Sequence, residues 1–264
     1  MVDMRHYFLA AVLLTASVAG AVAQRPTFEV ASIKGNVSGS NSSSERVQPT
    51  GRIDVTNSTL FALIGNLYRV ESFQIVGGPD WIHTDRWDIV AKAPQTADQP
   101  TLFEMAKALL ADRFKLVVRT ERREMPIYAL IRRRSDGPLG PQMQPSLLAD
   151  CPTTVAELRA FDAQRRKAPN GAAACSSDVS PGRYFAADRT MADVARVLTS
   201  LSGRTVVDKT GLAGRFDLDL KWNESEDGPS LVTALQEQLG LKLDSQRGPV
   251  DVLVIDSAER PTED

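Results

Sequence analysis

The side chain best suited to acid–base chemistry in this sequence is the imidazole of His83. The chain contains two histidines, and the other, His6, lies close to the amino terminus. Asp85 follows at a distance that would let a carboxylate orient the imidazole, as in a catalytic triad. However, no Gly-x-Ser-x-Gly turn accompanies it, and a zinc site usually needs several Cys or His ligands. We therefore interpret His83 as a loop residue, and predict no catalytic residue, no metal site and no cofactor.

The most distinctive short motif is Gly77-Gly78-Pro79-Asp80-Trp81. The paired glycines permit positive φ, and the proline fixes the turn that follows. The pair does not open a helix in a phosphate-binding pattern, so the motif predicts no nucleotide site. Trp81 either completes the core, which the usual burial of aromatic rings favours, or stays exposed as a contact residue. On the second interpretation it is a weak candidate for binding.

A second turn motif places Asp208 and Lys209 side by side after a short apolar run. Polar residues of this kind are typical of a tight turn between strands. A catalytic Asp–Lys pair is the alternative, so both residues remain weak candidates for binding. Asp217 and Asp219 lie two apart on a predicted strand and therefore face the same side. We expect them to form a solvated edge rather than an acid pair.

The chain is nearly neutral, with a formal net charge of −2. This balance gives no reason to expect nucleic acid as a partner. One basic cluster spans a predicted hairpin and is diluted by Glu121 and Glu124. We favour a solvated strand face over an anion site for it. Its members are Arg119, Arg122, Arg123, Arg132, Arg133 and Arg134.

The first 23 residues have the pattern of a cleavable secretory signal peptide. Arg5 precedes an apolar run over residues 7–18, and Ala21-Val22-Ala23 has the small side chains that signal peptidase requires. A membrane anchor is the alternative, but the run is short for a hydrocarbon core of about 30 Å. We predict cleavage before Gln24, export to the periplasm or the medium, and no transmembrane segment in the mature chain.

Two cysteines, Cys151 and Cys175, remain in the predicted mature chain. An isolated pair in an exported protein favours one disulfide bond, with two free thiols as the alternative.

Hydrophobic periodicity predicts four amphipathic helices. They begin after Asn57-Ser58, at Thr101, at Thr190 and at Ser230. Thr101 has the spacing of a capping box with Glu104, while Gly203 and Gly240 are placed to end the last two helices. Strands are expected between the helices, over residues 28–34, 52–57, 73–76, 86–93, 115–120, 127–132, 183–188, 205–208, 215–222, 241–245 and 250–256.

The order of these elements is the same in the two halves of the chain. Similar residues recur at matching points, such as Arg86-Trp87-Asp88 and Arg215-Phe216-Asp217. We interpret this as an internal duplication, with chance similarity as the alternative. The predicted organisation is a signal peptide over 1–23, a first half over 24–134, an irregular insertion with the cysteines over 135–180, and a second half over 181–264. A polar loop is expected at 35–50.

Taken together, several segments resemble a family of exported proteins from soil bacteria, abundant in acidobacteria, whose members have no established activity. The matching segments are 28–34, 77–81, 86–89, 109–116, 206–212 and 235–241. The family's related domains occur fused to membrane metallopeptidases of the antibiotic-sensor type, which implies a sensing or binding role. The helix-strand-strand units also resemble the short N-terminal modules of secretins and TonB-dependent receptors, a likeness of fold alone.

The sequence therefore predicts an α+β fold of two similar halves, each with helices packed on a small mixed sheet. The expected function is a non-catalytic periplasmic or secreted binding module for an unknown protein or cell-envelope ligand. Exposed sheet edges could accept a partner strand. The alternative is a hydrolase or other enzyme with an unrecognised carboxylate site, which buried carboxylates in a cleft would favour.

Overall fold

The structure is a computed structural model that describes residues 26–48, 50–146, 177–223 and 228–262. Within these ranges the chain forms twelve strands in three four-stranded sheets, together with five helices. The predicted α+β class is confirmed. Cys151 and Cys175 lie outside the described residues, so the disulfide stays a prediction. Among the described residues, none of the helices combines the length and the apolar character that crossing a membrane requires.

Strands and helices follow one another in two groups along the described residues. The first group is β1 (Val30–Gly35), β2 (Ser44–Gln48), β3 (Arg52–Thr59), α1 (Leu60–Tyr68), β4 (Ile75–Gly77), α2 (Trp81–Thr84), β5 (Arg86–Lys92), α3 (Gln99–Arg113) and β6 (Val117–Arg132). The second group is β7 (Met143–Pro145), β8 (Ser177–Ser180), β9 (Arg183–Arg189), α4 (Met191–Ser202), β10 (Val206–Asp208), β11 (Phe216–Lys221), α5 (Leu231–Ala234), which continues as a π-helix (Leu235–Leu239), and β12 (Leu241–Ser257).

Local capping determines where the helices begin and end. The helix α4 begins after Thr190 as predicted, Thr190 and Asp193 form a capping box there, and Gly203 ends the helix in the left-handed region. Ser230 caps α5 as predicted. The predicted start of α3 at Thr101 is wrong, because Asp98 is the N-cap and its carboxylate accepts a hydrogen bond from the Thr101 N–H. An aspartate satisfies the free N–H groups of a first turn as well as a threonine does.

Two of the sheets are entirely antiparallel, and each is built from strands of one half of the chain. We call them the outer sheets. The first outer sheet has the strand order β1-β5-β3-β2, and the second has the order β7-β11-β9-β8. In the first, α1 and α3 cover one face of the sheet, and their apolar side chains share its core. In the second, α4 and α5 contribute to the core in the same way. The predicted loop at 35–50 is wrong in part, since it contains strand β2.

The third sheet, which we call the central sheet, combines two strands from each half of the chain, in the order β10-β6-β12-β4. Its centre is a long antiparallel pair, β6 with β12, which runs from Val118 opposite Ile255 to Arg132 opposite Leu241. β10 extends β6 in parallel, and β4 extends β12 in parallel. Each short strand therefore pairs with the long strand from the other half of the chain.

The prediction that β6 and β12 each consist of two separate strands is wrong, and so is the hairpin predicted for β6. The residues between the predicted strands pair with each other instead, with Pro126 opposite Arg247 and Pro249 opposite Glu124. β10 and β4 pair elsewhere on these strands, so the outer edge beside each proline has no partner strand. A proline is tolerated there because its missing N–H removes no ladder hydrogen bond.

The two largest apolar cores among the described residues each include side chains from a long strand of the other half of the chain. The first core packs α1, α3 and the first outer sheet together with Leu253 and Ile255 of β12. The second packs α4, α5 and the second outer sheet together with Leu130 of β6. The long central strands thus contribute to both cores.

The Arg-x-Asp motifs seen in the sequence support a bulge at the end of β3 and at the end of β9. Asn57 has a φ of 57° and Asp188 has the same value. The Asn57 N–H donates to Asp88 Oδ1 at 2.8 Å, and Arg86 donates to the Asn57 carbonyl at 2.8 Å.

The second sheet has the same contacts. The Asp188 N–H donates to Asp217 Oδ1 at 2.9 Å, and Arg215 donates to the Asp188 carbonyl at 3.0 Å. In both sheets an arginine and an aspartate therefore satisfy a backbone that few non-glycine residues adopt. We call this arrangement the bulge frame.

Candidate ligand-binding pocket

Trp81, the aromatic candidate, is half-buried at the edge of the first core. Its ring lies 6.4 Å from Trp87 and 6.4 Å from Phe114, between ring centroids. The guanidinium of Arg260 covers it at 5.3 Å. These contacts account for the side chain by packing, as favoured from the sequence, and its role in binding stays a prediction.

Asp208 and Lys209 form a turn at the end of β10. Asp208 Oδ1 accepts hydrogen bonds from the N–H and the hydroxyl of Thr210, at 2.9 and 2.8 Å. The ammonium of Lys209 donates to Gln246, and its own N–H donates to the Leu130 carbonyl. Each polar group therefore has a local structural partner, which fits turn chemistry.

Three arginines of the basic cluster are exposed on β6, and each is paired with a neighbouring carboxylate. Arg119 pairs with Glu121 and Asp256, and Arg122 pairs with Asp251. Arg123 and Arg119 lower the pKa of Glu121 to about 2. An arginine that already pairs with a carboxylate has less capacity for a further anion.

His83 is exposed, and its ring lies 4.3 Å from that of Phe61, between ring centroids.

The expectation of a solvated edge is wrong for Asp217, which is 2% exposed. It is buried because it belongs to the bulge frame. Asp188, beside it, is also fully buried. One oxygen of each, Asp188 Oδ1 and Asp217 Oδ2, has no hydrogen-bond partner among the described residues. Asp219 is largely buried too: burial opposes its ionisation, but Arg183 and Lys221 outweigh that effect and hold its pKa below the usual range.

The structure contains an apolar cavity that no sequence motif indicated. It lies between the first outer sheet and the helices α1 and α3, and it encloses about 320 Å³. Side chains of Val47, Val55 and Ile89 form its floor, while Leu63 and Phe103 belong to the helices above. Binding pockets for small molecules usually begin at roughly 300 Å³ and are mostly apolar with a few polar groups. This cavity meets both criteria.

Glu45 on β2 supplies the charged group of the cavity wall. Its two carboxylate oxygens accept hydrogen bonds from the Ser58 hydroxyl at 3.0 Å and the Asn66 amide at 2.8 Å. Glu45 is an exposed residue, and these two hydrogen bonds connect its carboxylate to β3 and α1. Gln99 at the start of α3 adds a neutral polar group.

A second, more open cavity of about 430 Å³ adjoins the first. Leu67 of α1 and Phe103 of α3 line both cavities. The second cavity also contains Arg69, Glu104 and Lys107. The two cavities therefore share part of their lining, one of them mostly apolar and the other with charged residues. We call this pair of adjoining cavities the α1–α3 groove.

Sequence reasoning missed the groove because one of its walls was not predicted. Leu63, Leu67 and Leu109 lie on the apolar faces of two predicted helices. Periodicity alone does not distinguish a face that packs in a core from one that lines a cavity. The opposite wall includes β2, whose Ser44–Gln48 segment has too few apolar residues to indicate a strand.

The fold and the groove together define an α+β protein with a candidate pocket for a small, largely apolar ligand. A family model described as "Protein of unknown function (DUF3738)" matches residues 61–258, and the chain belongs to that family. The match begins in α1 and extends through β12, so it includes both sides of the central sheet. No curated protein and no solved structure matches the chain.

Proposed function

We propose that this protein is an exported, non-catalytic binding module that holds a small apolar ligand in the α1–α3 groove. The observation that carries the proposal is the apolar cavity of about 320 Å³ between sheet and helices. An interior that is filled only by packing leaves few spaces larger than a water molecule. A cavity this size, beside a second one with charged residues, is therefore suited to a ligand from the cell envelope or from a partner protein.

Export is proposed from the signal-peptide pattern of the first 23 residues. Protein recovered from the periplasm or the medium should begin at Gln24 when its amino terminus is sequenced. Recovery of exported protein that still begins at Met1 would exclude cleavage at this site.

We further propose that the module consists of two similar halves, and the topology supports this. The outer sheets have matching strand orders, and the bulge frame occurs once in each. In this scheme β6 and β12 are equivalent strands, and the short strand of each half pairs with the long strand of the other half. The resemblance to secretin and TonB-type modules would then apply to each half separately.

The alternative function, an enzyme with a carboxylate site, is favoured by the buried pair Asp188 and Asp217. The bulge frame gives both residues a structural purpose, since Asn57 and Asp88 occupy the same positions in the first sheet. Asp188→Asn keeps the shape of the frame and removes one carboxylate. Loss of a hydrolytic activity in this variant, at unchanged thermal stability, would support the enzyme instead.

The binding proposal is tested with a neutral apolar fluorophore, N-phenylnaphthylamine. Ala106 lines the cavity, so Ala106→Leu should fill part of it and weaken the probe's affinity by roughly tenfold or more. Ala108→Leu on the same helix is the matched control, because Ala108 lies outside the cavity lining. Circular dichroism checks that both variants fold. Equal affinity in the two variants would overturn the proposal.

A further inference from the structure

We infer that the ligand of the α1–α3 groove is a single-chain acyl carboxylate, bound with its chain in the cavity and its head at Arg69. This inference rests on the proposed function and adds the chemical class of the ligand and its direction in the groove.

The shape of the groove fits a linear molecule. The two cavities share the side chains of Leu67 and Phe103, so the inferred ligand has its chain in the first cavity and its head in the adjoining one. The inner cavity is lined mainly by aliphatic groups from β3, β5, α1 and α3. A flexible hydrocarbon chain satisfies such walls without leaving polar groups buried.

The second cavity of the groove has an available cation. Arg69 follows α1, and among the described residues its guanidinium makes no ion pair or hydrogen bond; it lies 5.7 Å above the Phe103 ring. Lys107 is nearby but binds Glu104 at 2.7 Å and covers the Tyr68 ring at 4.8 Å. The second cavity therefore has two cations against one carboxylate. A guanidinium offers paired donors that match a carboxylate head.

The other charged group, Glu45, determines the direction of the ligand. It lines the inner cavity, and its oxygens are held by Ser58 and Asn66 with no basic partner among the described residues. A carboxylate head placed at this end would meet a like charge. The head is therefore at the Arg69 end, and the chain points towards Glu45.

The experiment is a calorimetric titration of the full mature chain with hexanoate, octanoate, decanoate and dodecanoate, each below its micelle concentration. Burial of each further methylene should tighten binding by roughly fourfold. The gain should stop once the chain fills the cavity. Decanol and decylammonium, measured in parallel, should bind roughly tenfold or more weakly than decanoate, because neither pairs with Arg69.

Arg69→Gln should weaken decanoate by roughly tenfold and leave decanol unchanged. Arg122→Gln is the control for loss of one positive charge, since Arg122 lies on the central sheet with Asp251 as its partner. Equal binding of decanol and decanoate, or no effect of Arg69→Gln, would overturn the inference while N-phenylnaphthylamine binding still supported the apolar site. If the unmodified protein bound neither N-phenylnaphthylamine nor decanoate, the proposed function would be overturned as well.

Discussion

At the scale of single residues, the bulge frame shows how one backbone arrangement accepts two different side chains. Asn57 and Asp188 have the same φ, and in each case an aspartate accepts from the backbone N–H and an arginine donates to the backbone carbonyl. Their side chains differ in charge. The Asn57 amide donates to the carbonyls of Ser40 and Ser42, at 2.6 and 2.7 Å, and so ties the loop after β1 to the frame.

Asn57→Asp should destabilise the protein by about 2–4 kcal/mol, because a carboxylate cannot donate and would face two carbonyl oxygens in a buried place. Asp188→Asn, at the equivalent position, removes a buried charge whose contact with Arg215 is 3.4 Å, and should change stability by about 1 kcal/mol or less. Urea unfolding measures both. Equal losses would mean that the two positions are not interchangeable in the way the frame implies.

A second residue-scale prediction concerns Tyr184, which is buried on β9 with its hydroxyl unpartnered among the described residues. Burial raises the pKa of Tyr184 from 10 to about 12. The folded state therefore keeps this proton at a pH where the unfolded chain has lost it. The stability from this group is complete below about pH 10 and is lost as the pH rises towards about 12.

Tyr184→Phe has no phenolic proton. Between about pH 10 and 12 its free energy of unfolding should therefore fall by about 2 kcal/mol less than that of the wild type. Urea midpoints measured at several alkaline pH values provide the comparison. Parallel curves for the two proteins would show that Tyr184 ionises normally in the folded state.

At the scale of the elements, the helix caps test how much local sequence contributes. Thr190 and Asp193 satisfy each other's backbone N–H groups at the start of α4, and the Thr190 hydroxyl lowers the pKa of Asp193. At the start of α1, Thr59 accepts from the Ala62 N–H, but alanine returns no hydrogen bond.

Thr190→Ala should cost about 1–2 kcal/mol, and Thr59→Ala about 0.5–1 kcal/mol, because the first breaks a reciprocal pair. The lowered pKa of Asp193 means that its contribution is present above the ordinary aspartate pKa and is lost as the pH falls. The difference between the two variants should therefore shrink in acid. Thermal unfolding at neutral and acidic pH tests this; a constant difference would exclude a role for the Asp193 charge.

The same elements show which parts of the fold the sequence predicts. The starts of α4 and α5, at Thr190 and Ser230, follow from side chains that cap locally, so their prediction succeeded. The continuous β6 strand did not follow, because Pro126 indicates a turn unless the partner strand from the far end of the chain is known. β2 and the groove above it depend on tertiary contacts of Glu45 and Val47, which no local pattern encodes.

At the scale of the whole molecule, the central sheet makes each half depend on the other. β4 pairs with β12, and the first core includes Leu253 and Ile255. A fragment covering 24–134 therefore lacks a partner for β4 and part of its core, although it contains all of the first outer sheet.

The 24–134 fragment alone should show no cooperative unfolding transition, and mixing it with a 135–264 fragment should restore one. Near-ultraviolet circular dichroism and urea titration of each fragment and of the mixture make the measurement. A cooperative transition in the isolated first fragment would show that its core is complete without β12. Each half would then be an independent domain.

The pairing of β6 with β12 also affects the order of events when the chain is made. Paired residues in these strands are more than 100 positions apart in sequence. Closing so long a loop is entropically costly and slows folding. Because the first core includes Leu253 and Ile255, a growing chain cannot complete this core until β12 has been synthesised, and β4 keeps an unpaired edge until then.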